Sequence, residues 1–374
     1  MRAPIEDPTG AGGRAAMPGP TLGAGADGTS GASGVPDPEG RGAPEDLPPR
    51  RGAFLVALGA FLLTVAALLP LYVYDRVALL PASAEFELRM VDEDAAYLDA
   101  ATWSLRQGVE IRRVTRVEAA PHGGDWSAWE MSVDVSTPER MIDHWSRRVI
   151  VDRVTGRAVN CCGEHVDGDR AIRQAGLVLH WPANAPAEDV THYDAEIRSA
   201  PLLEYDGADQ VAGIPVRRYV QAIGATQAPD SARSVPAALF TADAEGTVSA
   251  SRWVAITRTY WVEPTSGLVV NAQETRAESL RPRGGSGEVG LLTADLTLSE
   301  GQVSTLAERA RVRAFLLTAL DAWAPWILVP AGGAAMLAGL VQAWRARETA
   351  RIRRRDLGAR VERVERLGES RDRP

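Results

Sequence analysis

Two of the 374 residues are cysteines, and they are neighbours, Cys161 and Cys162. A thiol pair at that spacing has three outcomes open to it. It closes a vicinal disulfide that stiffens the turn entering Gly163, stays as two reduced thiols, or bridges to a second chain. Adjacent Cα atoms lie about 3.8 Å apart, below the roughly 4.4–6.8 Å usual for a disulfide, so an internal bridge is strained. An oxidising compartment nevertheless favours it. The surrounding loop, Asn160-Cys161-Cys162-Gly163-Glu164-His165-Val166-Asp167-Gly168-Asp169, also offers Glu164, His165, Asp167 and Asp169 as cation donors. They lack the spacing of an EF-hand, and no second histidine stands four residues on for zinc. The loop reads as a solvated polar turn.

Other reactive sets are missing. His122, His144, His180 and His192 are scattered, and neither G-x-S-x-G nor H-E-x-x-H occurs. All 41 basic residues are arginine. Without lysine there is no phosphate loop of the Walker A type, no pyridoxal Schiff base and no Ser-Lys dyad. The net charge of −8 is modest, and nothing interleaves basic with aromatic residues as a nucleic-acid surface would. The chain is therefore expected to be non-enzymatic, with no catalytic residue, no cofactor, no metal and no nucleic-acid partner.

Two uncharged apolar runs frame everything else, Ala53 to Val73 and Ala324 to Ala343. Each has roughly the 20 residues that a helix needs to cross about 30 Å of hydrocarbon. Arg50 and Arg51 precede the first run, and Arg345, Arg347, Arg351, Arg353, Arg354 and Arg355 follow the second. Positive flanks stay in the cytoplasm, which puts both termini there and the middle outside. Trp323, Trp326 and Trp344 suit the interfacial belts. A cleaved signal peptide ending at Ala82-Ser83-Ala84 fits less well, because that site lies past the end of a long run preceded by 50 residues. The expected organisation is a disordered Gly/Pro-rich cytoplasmic tail over 1–49 and a first transmembrane helix over 50–75. An extracytoplasmic domain follows over 76–313, then a juxtamembrane segment with the second transmembrane helix over 314–344, and an arginine-rich cytoplasmic tail over 345–374. That last tail carries eleven arginines against six acids and is attracted to anionic headgroups, so membrane lipid is an expected partner.

The outer domain reads as mainly β, with α+β character. Glu85 to Met90, Glu110 to Val117 and Trp129 to Val135 alternate polar with apolar residues, as strands with one wet face do. Two segments, Val151 to Asn160 and Val262 to Asn271, share the pattern V-[D/E]-x-x-x-G-x-x-V-N, an acid opening a hairpin turn and a glycine closing it. Thr137-Pro138-Glu139 has the chemistry of a helix start, which predicts a helix from Thr137 to Arg147. A second helix is predicted from Ser304 toward the membrane. Loops are expected at Gln227 to Ser251 and Arg281 to Gly287. The architecture expected is an antiparallel curved sheet, a half-barrel, flanked by two transmembrane α-helices.

Certain residues together resemble a known family. They are Asn160-Cys161-Cys162-Gly163-Glu164, then Trp181-Pro182 and Tyr193-Asp194, then Tyr260-Trp261-Val262-Glu263-Pro264-Thr265 with Gly267. With a membrane segment at each end, the stretch from Ala53 to Trp344 resembles the actinobacterial porin PorA family. The resemblance implies a channel label and no catalytic residues. Two helices cannot enclose a water-filled pore alone, so a channel requires a homo-oligomer. Small residues suited to helix association stand at Ala331, Ala335 and Gly339, and at Ala53, Ala57, Ala60 and Thr64; pairing within one chain is the use expected of them. The reading placed first is a two-pass envelope protein whose outer β domain binds an apolar or lipid ligand, with an oligomeric PorA-like solute channel as the alternative.

Overall fold

The computed structural model describes residues 50–82 and 85–369. The tail expected over 1–49 lies outside the described residues, as do Ser83, Ala84 and residues 370–374. The first apolar run forms α1 (Arg50–Leu68), a π-helical turn (Leu69–Val73) and the short α2 (Tyr74–Ala78). Four long strands come next: β1 (Glu85–Asp99), β2 (Ser104–His122), β3 (Trp126–Ser136) and β4 (Met141–Asp152). The two-residue β5 (His165–Val166) and β6 (Val190–Thr191) lead to β7 (Leu202–Val211), β8 (Ile214–Gln227) and β9 (Arg233–Pro236). β10 (Thr247–Val262), β11 (Val269–Pro282) and β12 (Val289–Leu298) complete the domain. The chain returns to the membrane through α3 (Glu300–Thr318), a second π-helical turn (Ala319–Trp323) and α4 (Ala324–Glu369).

The strands make one antiparallel ladder in the order β5-β4-β3-β2-β1-β12-β11-β10-β8-β7-β6, with β9 added beside β10. The first strand pairs with the last at its centre, Met90 opposite Leu298 and Tyr97 opposite Leu292. The alternating runs of the sequence lie in β1, β2 and β3, and the segment from Val262 to Asn271 is the β10–β11 turn.

The half-barrel expected from the sequence does not form. The ladder ends in β5 and β6, which pair with β4 and β7 only, so the sheet stays open. No empty trough lies between its wings. The connection after β5 folds back, and its Leu177, Val178, Leu179 and Trp181 share one core with Met131 and Val149 of one wing and Tyr219 and Tyr260 of the other. Filling the space with side chains gains dispersion contacts and removes apolar area that a trough would leave wet. The helix predicted over Thr137 to Arg147 is also absent. Thr137 Oγ1 accepts from the N–H groups of Glu139 and Arg140, at 3.3 and 3.2 Å, as a helix cap would, yet it closes the turn into strand β4. The Gln227 to Ser251 stretch holds β9, a 3₁₀ turn and the start of β10. The helix predicted from Ser304 begins earlier, where the Ser299 side chain caps the N–H of Gln302. Gln302 then clips α3 to β1, its Nε2 donating to the Glu87 carbonyl at 2.7 Å and its Oε1 accepting from the Arg89 N–H at 3.1 Å.

Both apolar runs are long and apolar enough to cross a membrane. They pack on each other, and the close contacts are between glycines spaced two helical turns apart. A Cβ on Gly59 would stand 2.6 Å from the Gly332 carbonyl oxygen, and one on Gly339 would stand 2.7 Å from that of Gly52. Of the small residues singled out in the sequence, Gly339 lies in this seam; Ala53, Ala57, Ala60, Thr64 and Ala331 face outward. Each π-helical turn sits at a proline, Pro70 within the first and Pro325 just after the second, where a missing N–H breaks the regular ladder. Trp326 and Trp344, both exposed, are separated by about 27 Å of helix at about 1.5 Å per residue, a match to the hydrocarbon thickness.

Gly59→Ile and Gly339→Ile are expected to destabilise the helix pair by about 1–3 kcal/mol each through overpacking. A lowered thermal midpoint in detergent would register it. Gly333→Ile, whose Cβ would meet nothing within 4 Å, is expected to leave the midpoint unchanged.

Candidate functional site

The two V-[D/E]-x-x-x-G segments build matching turns. Asp152 Oδ1 accepts from the N–H groups of Val154 and Thr155 at 2.9 and 2.8 Å. The Glu263 carboxylate accepts from Thr265 and Ser266 at 3.0 and 2.6 Å. Gly156 and Gly267 close the turns, each with φ of 71° and each donating to the carbonyl of its acid at 2.9 Å. Between these turns lies a strap, residues 177–185. Val178 N–H donates to the Gly156 carbonyl and Trp181 N–H to that of Gly267, both at 3.1 Å, while Ala185 N–H donates to Pro264 at 2.8 Å. A Cβ on either glycine would collide with the strap backbone, at the His180 carbonyl for Gly156 and the Trp181 carbonyl for Gly267. Trp181 is fully buried, 5.1 Å from the Tyr219 ring and 5.7 Å from that of Tyr260. Asn184 Nδ2 reaches Tyr74 Oη on α2 at 2.7 Å and ties the strap to the membrane helices.

Trp181, Pro182, Glu263, Pro264 and Gly267 are thus brought together, as a folding clasp. The Asn160–Glu164 run sits elsewhere. Asn160 Oδ1 accepts from the Gln174 N–H at 3.1 Å, and the buried Glu164 pairs with Arg173 at 2.9 Å. The Sγ atoms of Cys161 and Cys162 are joined, and Cys162 and Gly163 both adopt positive φ, 63° and 84°. Trp261 points away from the clasp, its Nε1 donating to Asp209 at 3.0 Å. The donors weighed for a cation serve local turns: His165 accepts from Gly168, Asp167 from Ser146 and Asp169 from Ala171. Among the described residues no group of three or more His, Cys, Asp or Glu side chains is placed to hold a metal.

A second constellation was missed in the sequence. Arg252, Arg258 and Arg276 sit among Asp143, Asp194, Glu196, Glu274 and Glu278 inside the domain. Arg258 bonds Glu274 at 2.6 Å and also pairs with Asp194; Arg276 holds Glu278 at 2.7 Å; Arg252 reaches Glu278, Glu196 and Asp143 at 2.7, 2.6 and 2.9 Å. Arg113 approaches Glu274 at 3.4 Å, and Arg147 stacks over the Tyr193 ring at 5.6 Å. The arginines hold the carboxyls of Asp194 and Glu196 below their ordinary range against the opposing effect of burial. Burial pushes the Arg147 guanidinium down to about 10, so it stays charged at neutral pH. In this network each carboxylate is matched by an arginine. The signal lay in β11, where Glu274, Arg276 and Glu278 alternate in sign along one face while Gln273, Thr275 and Ala277 are the exposed ones.

A third feature lies where the domain meets the helices. An apolar cleft of about 580 Å³ opens between α3, the start of β1 and the strap, lined by Phe86, Leu88, Leu268, Leu306, Val312 and Leu316, with His180, Arg309 and Arg313 at its wall. That volume falls within the ~300–1,000 Å³ of ordinary ligand pockets. The cavity beside the ion network holds only about 50 Å³, space for a water molecule rather than a ligand.

A family model described as Porin PorA matches residues 51–341, from the start of α1 to the end of the apolar part of α4. No curated protein matches the chain.

Two outcomes follow from the geometry. His180 and His192 are buried; burial lowers their imidazoles to about 4 and about 3, the latter helped by Arg258 and Arg147. The unfolded chain therefore binds more protons below the ordinary value of about 6.5, and stability falls as pH drops through 6.5 toward 4. The slope approaches about 1.4 kcal/mol per pH unit for each histidine. Urea denaturation between pH 7 and 5 is expected to show it, and the H180Q/H192Q variant to flatten it. The cysteine pair has its own check. Freshly isolated protein should weigh about 2 Da less than after reduction and run as a monomer on non-reducing gels. Freely alkylated thiols or a linked dimer would rule out the internal bridge.

Proposed function

This chain belongs to the Porin PorA family, and from that premise we propose that it acts without chemistry, as an envelope protein whose copies together form a passage for solutes. One observation carries the reading. The two membrane helices spend their glycine seam on each other, so a single chain encloses no water path. A passage then needs further helices from other copies. The face left outward, with Ala53, Ala57, Ala60, Thr64 and Ala331, has the small residues that let helix backbones approach. The sheet does not supply the pore, because its ladder is open and its interior is occupied by ion pairs and the strap. A membrane-spanning barrel has closed edges and a lipid-facing apolar band.

In this reading both termini lie in the cytoplasm and the domain outside, as the arginine flanks direct. The bridged cysteine pair suits that oxidising side. Binding of an apolar ligand is a second reading, and the cleft beside α3 is the observation that favours it.

Full-length protein reconstituted in planar bilayers is expected to give discrete conductance steps, and its native mass spectrum in mild detergent to show more than one chain. A monomer that conducts nothing would overturn the proposal.

A further inference from the structure

The cleft at the membrane junction has features that an apolar pocket alone would not need. Arg313 projects into it from α3. Its Nη2 donates to the backbone carbonyls of Leu79 and Ala78, at 3.0 and 3.4 Å, and it forms no ion pair with a carboxylate among the described residues. Its Nε is buried and has no hydrogen-bond partner. Arg309 stands one helical turn before it on the same wall. Two acids share the lining, Glu308, already engaged by Arg311 at 2.6 Å, and Glu85, which is exposed and pairs with neither arginine. His180 supplies an independent sign. It is 5% exposed, its Nδ1 is held at 2.6 Å by the Trp181 carbonyl, and its Nε2 is buried without a partner. Because a carbonyl only accepts, Nδ1 carries the proton, and Nε2 is left as an acceptor. A cation without a carboxylate and an unused acceptor thus border one apolar cavity.

The cleft also continues toward the membrane. Val312, Phe315 and Leu316 on α3 are exposed, and Trp323 and Trp326 follow them on the same helical column. Val312 to Trp326 covers about 21 Å at about 1.5 Å per residue, an apolar path from the interfacial belt up to the cleft.

We infer that the cleft holds one acyl chain of an anionic phospholipid drawn from the surrounding leaflet, its phosphate on Arg313 and Arg309. A head-group hydroxyl donates to His180 Nε2. A glycerol head group satisfies both polar requirements, whereas a choline head group sets a cation beside the unpaired Arg313 and has no hydroxyl to give. A guanidinium–phosphate pair in such a partly dry site is charge-assisted, which sets the preference for the anionic head group at about tenfold. The inference deepens the ligand-binding reading and does not depend on a passage being formed.

The test uses full-length protein in phosphatidylcholine nanodiscs. One sample is doped with phosphatidylglycerol carrying a photoreactive diazirine at the end of one acyl chain, and the other with the matching phosphatidylcholine. After irradiation, peptide mapping is expected to place phosphatidylglycerol adducts between Leu306 and Leu316 and on the peptide holding Phe86, about tenfold above the choline probe. Arg313→Gln is expected to bring the two probes level. Equal labelling by both probes in the unaltered protein, or adducts confined to α1 and α4, would overturn the inference. If Arg313→Gln does not fold, the comparison of probes in the unaltered protein decides alone. Conductance recorded from the same preparation tests the passage separately, so failure of one reading leaves the other measurable.

Discussion

The pairing of the first strand with the last, Met90 against Leu298 at the middle of the sheet, determines where everything else can go. It puts the two ends of the domain side by side, so the helices entering and leaving the membrane are neighbours before they pack. The glycine seam between α1 and α4 follows from that placement, and so does the docking of α3 on β1 through Gln302. The junctional cleft is the space left where α3 leaves the sheet edge-on and the strap comes down to meet it. If β1 and β12 were at opposite edges, none of these contacts could form.

The domain solves its burial problem with an unusual mixture. Its larger core is apolar and includes Trp129, Trp181 and Tyr219, but a block of arginines and carboxylates is buried beside it. Desolvating such charges costs several kcal/mol per ion, and the attraction between them repays it only when geometry and partners are complete. The network matches its charges, with Arg252 alone bonded to three carboxylates from different segments, while Glu274 Oε1 and Arg276 Nε face each other at 2.9 Å without the alignment of a hydrogen bond. Its contribution is therefore directional. Hydrophobic contacts hold the wings together, and the ion pairs define their registration across β4, β10, β11 and the segment holding Asp194 and Glu196.

Much of the plan was legible in the residues, because it rested on local signals. The uncharged runs marked the membrane helices, period-two alternation marked β1 to β3, and an acid and a glycine marked the β10–β11 turn. Thr137-Pro138-Glu139 misled for a definable reason. The hydroxyl makes the contacts of a helix cap, but β-branched Val133 and Val135 before it and Val149 to Val151 after it prefer a hairpin, and tertiary pairing decided. The ion network was hidden because Glu274, Arg276 and Glu278 look like a wet face; only a partner segment distant in sequence turns that face inward. The half-barrel failed for the same kind of reason. Nothing local in residues 177–185 announces that they will fill the space between the wings.

The strap is held by backbone atoms at both ends, with glycine turns accepting its N–H groups. Such a latch does not depend on the identity of the side chains that face away from the core. His180, outside that apolar core, is therefore the strap residue left to line the cleft, while Leu177, Val178, Leu179 and Trp181 keep the inward grip. Scaffold and lining are thereby uncoupled in inheritance. A descendant could exchange the residue at 180, and with it the molecule it accommodates, without renegotiating the architecture around it.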